Sequence, residues 1–228
     1  MTDGPSADGN RGPALVGLLG ILGGVMLAAL ILDGIFQPSP TPLNVLAAYR
    51  THTAVYFAAL ILSVAFAGFG IPFVAGLGRV LASQSRTVAP GATLLAAFGI
   101  AVLMLSNLLS VGALWVITGF DPGPAYQASA TYEAAFWSGM SLVFNTAGYM
   151  LFGAGLFLFG WLAWKSDEVP RWLSRAAVLG GIVGIATPID DAVAGPLLLD
   201  VVFILWCFVI GARWLRGGLR ADHVGAGA

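Results

Sequence analysis

Long apolar runs constrain this chain more than any other feature. Six stretches, at about 13–32, 53–78, 92–118, 134–163, 172–189 and 192–212, are apolar over lengths close to the roughly 20 residues that a helix needs to cross a bilayer core. Lipid cannot satisfy a bare N–H or C=O, so a spanning segment is a helix or part of a closed barrel. Barrel strands alternate apolar and polar residues; these runs do not, so the expected fold class is all-α, a polytopic transmembrane bundle of about six helices. Composition agrees: 58% of residues are hydrophobic and 9% charged, and the mean hydropathy is +0.90, whereas about a quarter of an ordinary soluble domain is charged.

The connectors carry turn signals, QPSPTP at 37–42, Pro90-Gly91 and Asp121-Pro122-Gly123-Pro124. The fifth stretch is the shortest and has Arg175 in its first turn. The Pro188-Ile189-Asp190-Asp191 turn separates it from the sixth. Residues 1–11 are polar and rich in Gly and Asp, which reads as a disordered tail rather than a signal peptide. The expected organisation is a tail at 1–11, a six-helix membrane domain at 12–216 and a second tail at 217–228.

With six spans, the bases sort by side. Arg11, Arg79, Arg86, Lys165, Arg171, Arg175, Arg213, Arg216 and Arg220 fall on one face, and of the ten Lys and Arg only Arg50 falls on the other. The base-rich face is expected to be cytoplasmic, which puts both termini there and the protein in the cell membrane. Asp33, Asp121, Glu133, Asp190 and Asp191 fall on the opposite face or at its border. Six Trp, at 115, 137, 161, 164, 172 and 214, lie toward helix ends, as an interfacial belt requires. Gly20-x-x-x-Gly24 and Gly180-x-x-x-Gly184 are spaced for close helix packing.

Polar residues within the spans are the candidate site. An acid there costs about 2.5–3.5 kcal/mol on insertion scales, and Asp200 in PLLLDVVFILW is the clearest case. At 1.5 Å per residue it lies roughly 12 Å from the outer end of its helix, with Asn107 at about 16 Å and Asn145 at about 17 Å. These three form a candidate polar cluster in the outer half of the bundle. Arg50 and His52 are candidates to cap it, and Tyr56 lies one turn lower. One reading is a cation, proton or small polar-ligand site; the other is cross-helix hydrogen bonding that sets packing register, at about 0.6–2 kcal/mol per pair.

Several classes fall away. The single cysteine, Cys207, excludes an internal disulfide and reads as a buried small hydrophobe. With only His52 and His223, transmembrane bis-His haem is excluded, and no cofactor is expected. Asp190 and Asp191 are weak candidates for a divalent cation and read first as turn residues. No Walker A, H-E-x-x-H, G-x-S-x-G or dinucleotide fingerprint is present, so catalytic residues are not assigned. A net charge of -1 gives no basis for nucleic-acid binding. The partners expected are the lipid bilayer and either another membrane protein or a second copy of this chain. Three classes of function follow: a small transporter-like or sensing bundle around the polar cluster, a non-catalytic accessory subunit using Gly-rich faces, and an intramembrane lipid enzyme using Asp190, Asp191 and His52.

One stretch has a recognisable pattern. Residues 155–173 read GLFLFGWLAWKSDEVPRWL, followed by Gly180-Gly181. A Gly-spaced helix ends in a basic residue and Ser before a Pro-Arg-Trp-Leu helix start. This resembles a group of bacterial six-helix membrane proteins known as domain of unknown function 4386. The resemblance implies a six-helix fold and brings no activity with it. Physically, Lys165 and Arg171 anchor a membrane border, Pro170 opens a helix and Trp172 sits at the interface.

Overall fold

A computed structural model describes residues 11–36, 45–119, 127–167, 169–187 and 194–216. The elements are α1 (Arg11–Phe36), α2 (Val45–Thr51), α3 (Thr53–Leu81), α4 (Val88–Gly119), α5 (Gln127–Trp164), α6 (Arg171–Ala186) and α7 (Ala194–Leu215). Among the described residues all regular structure is helical. Five of these helices, α1, α3, α4, α5 and α7, are long and apolar enough to cross a membrane. The sixth expected span, α6, has 16 residues and rises about 24 Å, short of a bilayer core. The seventh helix, α2, lies where the sequence reads as a connector.

Local chemistry sets the boundaries. The Ser85 hydroxyl accepts the Val88 N–H at 3.2 Å, a side-chain cap that starts α4 four residues before its apolar run. At α6 the Pro170 carbonyl accepts the N–H groups of Leu173 and Ser174, at 2.9 and 3.1 Å. Pro170 itself has φ -55 and ends the preceding turn without needing a donor. His52, at φ -125 and ψ 33, separates α2 from α3.

The six helices other than α2 close a ring in the order α1, α3, α4, α5, α6, α7 and back to α1. Pairings of early with late residues make every neighbour antiparallel: Gly20 lies against Phe73, Gly70 against Ile100, Gly155 against Ala96, Gly181 against Phe157, Gly180 against Val202, and Gly17 against Gly211. Six alternating helices bring the start of α1, the end of α7 and the α3–α4 and α5–α6 turns to one end. Of the described bases all but Arg50 belong to that end, as the sorting by side predicts. The other end carries α2.

Backbone contact holds the tightest seams. A Cβ on Gly181 would lie 2.6 Å from the Phe157 nitrogen, and one on Gly153 would lie 2.9 Å from the Gly181 oxygen. Lipid provides little hydrophobic drive between helices, so such close approach supplies the packing energy. The two Gly-x-x-x-Gly pairs each serve two neighbours. Gly20 meets Phe73 of α3 while Gly24 meets Cys207 of α7; Gly180 meets Val202 of α7 while Gly184 meets Leu199 and Gly153.

Aromatic rings fill the axis. Phe203 of α7 stands edge-on to Phe152 at 4.8 Å, Phe66 at 6.0 Å and Phe73 at 6.1 Å, all buried. Trp214, expected in an interfacial belt, is buried against Phe73 at 5.9 Å instead. Trp115, Trp161, Trp164 and Trp172 are exposed, as a belt requires. Cys207 is free and buried.

Candidate functional site

Two apolar clusters divide the bundle along its axis. The larger contains the aromatic plug and the glycine seams. The smaller lies at the α2 end, where Val45, Leu46 and Tyr49 of α2 pack on Val111, Leu114 and Ile117 of α4 and on Ala130 and Ala134 of α5. Polar side chains occupy the interval between them on three helices, Ser63 on α3, Ser106 and Asn107 on α4, and Ser141 and Asn145 on α5, while Asp200 on α7 lies at the edge of the larger cluster between Leu199 and Phe203.

This α3–α4–α5 layer is hydrogen-bonded across helices. Asn107 Nδ2 donates to Ser63 Oγ at 2.7 Å, and Ser63 in turn donates to the Ala59 carbonyl at 2.9 Å. Ser106 and Ser141 clasp reciprocally, each donating to the other's main-chain carbonyl, at 2.8 and 2.9 Å. Asn145 lies one helical turn beyond Ser141 and is partly buried. Since Ser106 faces Ser141 and Leu103 faces Gly148, Asn107 and Asn145 stand within about one turn of the same depth.

Asp200 has a separate setting. Its side chain is 5% exposed, and the Tyr149 hydroxyl donates to Oδ2 at 3.0 Å. Tyr149 lies four residues beyond Asn145 on α5. Thus α5 links the layer to Asp200 through Ser141, Asn145 and Tyr149 in successive turns. Among the described residues no hydrogen bond joins Asp200 to Asn107 or Asn145. The described bases stand at helix ends or in turns, with Arg79 and Arg213 in the last turns of α3 and α7 and Arg171 opening α6. None is at the depth of Asp200.

The other candidates are placed differently. Arg50 and His52 are exposed at the α2–α3 junction. Tyr56 belongs to the smaller apolar cluster, its ring 5.4 Å from that of Tyr49. Asp190 and Asp191 lie outside the described residues. Among the described residues no group of three His, Cys, Asp or Glu stands close enough to hold a metal ion.

Tyr149, Ser63 and the Ser106–Ser141 clasp escape a search for charges and amides. A spacing signal was present: Tyr149 is one turn from Asn145, and Ser63 is two turns from Tyr56 on one face of α3. Tyr49 was hidden for another reason, since nothing in its neighbourhood announces a helix. It is 1% exposed, and among the described residues its hydroxyl is the one buried side-chain polar atom without a hydrogen-bond partner. Burial raises the pKa of this phenol above its ordinary value.

Compared with known proteins, residues 14–217 match the family model described as Domain of unknown function (DUF4386). No curated protein and no solved structure matches the chain.

Proposed function

We propose that this chain, which belongs to the DUF4386 family, is a transporter-like or ion-sensing bundle of the cell membrane. Its working group is the Asp200 carboxylate, bound by Tyr149, with the Asn145 and Asn107 amides as further polar groups of the same bundle. By the excess of Lys and Arg at the end that carries the termini, that end faces the cytoplasm and the α2 end faces outward. The observation that carries the reading is a buried acid with a phenol donor and, among the described residues, no base at its depth. An ionised carboxylate in that setting costs several kcal/mol. A proton or a small cation bound to it offsets that cost. The neighbouring hydroxyl and amide oxygens are hard ligands suited to such a cation.

An accessory role through Gly-rich faces has less support, because most described glycines are already occupied by neighbouring helices of the same chain. The test is flux into proteoliposomes of the purified protein, loaded with a pH-reporting dye and placed under an imposed Na+ or proton gradient. Dye response to either gradient above that of protein-free vesicles is expected, falling about tenfold or more in Asp200→Asn that inserts and accumulates normally. For a sensor without flux, the expected readout is a Na+- or pH-dependent shift in unfolding temperature that Asp200→Asn abolishes. Wild-type behaviour of Asp200→Asn in both assays makes Asp200 a packing residue and ends the proposal.

A further inference from the structure

The outward face of α6 and the adjoining end of α5 combine charge and aromatic surface in an order that matches a phospholipid. At the end that carries the termini, Lys165 lies over the Trp161 ring at 4.2 Å and Arg175 over the Trp164 ring at 5.5 Å. Both contacts place a cation on an indole face and hold it at the surface. Trp172, 54% exposed, and Arg171 stand beside them. Farther along the same helix the exposed residues become aliphatic: Leu179, 62% exposed, lies one turn past Arg175, and Ile182 follows.

The length of α6 sharpens this. A helix of 16 residues is shorter than the bilayer core, and Arg175 is one turn inside it, so its guanidinium stands close to the hydrocarbon boundary. A base at that depth is stabilised by reaching an anion at headgroup level. Among the described residues neither Arg175 nor Lys165 forms an ion pair. Asp167, the described acid of this turn, is exposed.

We propose that this patch binds one anionic phospholipid, its phosphate held by Lys165 and Arg175 and one acyl chain lying along Leu179 and Ile182. The order of the surface, bases and indoles at the end and aliphatic side chains toward the middle, fits a lipid better than an acidic protein, which would leave Leu179 and Ile182 unused. This site is independent of Asp200.

The experiment is native mass spectrometry of the full-length protein in detergent, titrated with phosphatidylglycerol or phosphatidylcholine. The wild type is expected to retain phosphatidylglycerol more tightly. Lys165→Gln with Arg175→Gln should lower that affinity about 30-fold, at about fivefold per base near an anionic surface, and leave phosphatidylcholine unaffected. Lys165→Arg with Arg175→Lys keeps the charge and is expected to retain the preference, which separates lost binding from lost folding. Three results overturn the proposal: equal affinity of the wild type for the two lipids, an equal loss in Arg216→Gln at the same end of the bundle, or a poly-glutamate peptide that binds and that phosphatidylglycerol does not displace. The last would make the patch a protein-docking surface.

Discussion

The two halves of this bundle are held together by different means. Toward the termini, backbones touch at the α5–α6 and α1–α7 glycine seams, and four phenylalanines fill the axis. Toward α2, the contacts include hydrogen bonds among hydroxyls, amides and one carboxylate, and a seven-residue helix packs on α4 and α5. Close packing has one good arrangement and loses energy steeply when displaced. Polar groups with alternative partners can exchange one hydrogen bond for another. By this contrast the half near the termini is the rigid frame, and the half near α2 is the part that can rearrange, where the proposed function places its chemistry.

The largest effect that tests this contrast comes from the plug. Phe203→Ala removes the ring that touches three other phenylalanines and is expected to cost about 3 kcal/mol in detergent unfolding. This is the low end for buried Phe, because lipid removes the water-transfer part of the loss. A loss under about 1 kcal/mol would mean that the axis repacks freely and is no frame.

Next come paired glycine changes. In Gly181→Ala the new methyl meets the Phe157 backbone, with a destabilisation of about 1–3 kcal/mol; at Gly139, where a Cβ meets nothing within 4 Å, Ala is expected to be neutral or slightly stabilising. Equal unfolding temperatures for the two variants would remove the seam from the account.

The smallest effect lies under α2. Tyr49→Phe deletes an unpartnered hydroxyl and is expected to raise stability by about 1 kcal/mol. It also changes the alkaline limb. Burial holds the native phenol protonated to higher pH than in the unfolded chain, so stability is complete below about pH 10 and falls above it. Urea unfolding midpoints from pH 8 to 11 should show that fall in the wild type and a smaller one in Tyr49→Phe. Destabilisation by Tyr49→Phe at pH 8 would reveal a partner for the hydroxyl and turn the cap into part of the polar site.

Much of this was legible in the residues. Uninterrupted apolar length forces helices in lipid, and the sorting of bases by side already gives the alternation of helix direction, since each added span reverses it. A depth counted from a fixed rise per residue depends on where the helix starts, and α5 opens at Gln127 rather than near residue 134, so Asn145 stands farther from the start of its helix than the apolar run alone suggests. A one-dimensional count of hydrophobicity could not distinguish Trp214, buried on Phe73, from the exposed Trp172, because both sit near helix ends. Nor could it find α2, whose seven residues form a helix over an apolar surface supplied by other segments.

The residues alone establish the class of solvent, the all-helical fold and Asp200 as a polar group within a span, all of which depend on local length, charge and periodicity. Among the described residues, however, five helices rather than six are long enough to cross a membrane, and the buried Ser63 and Ser106 were not foreseen. Only the tertiary structure decided that the helices close a ring, that Asp200 meets Tyr149 while Asn107 meets Ser63, and that α2 packs on α4 and α5. Those outcomes depend on how each helix is rotated about its axis. That rotation is fixed by which small residues of one helix receive the side chains and backbone of the next, a property of pairs of segments rather than of any one segment.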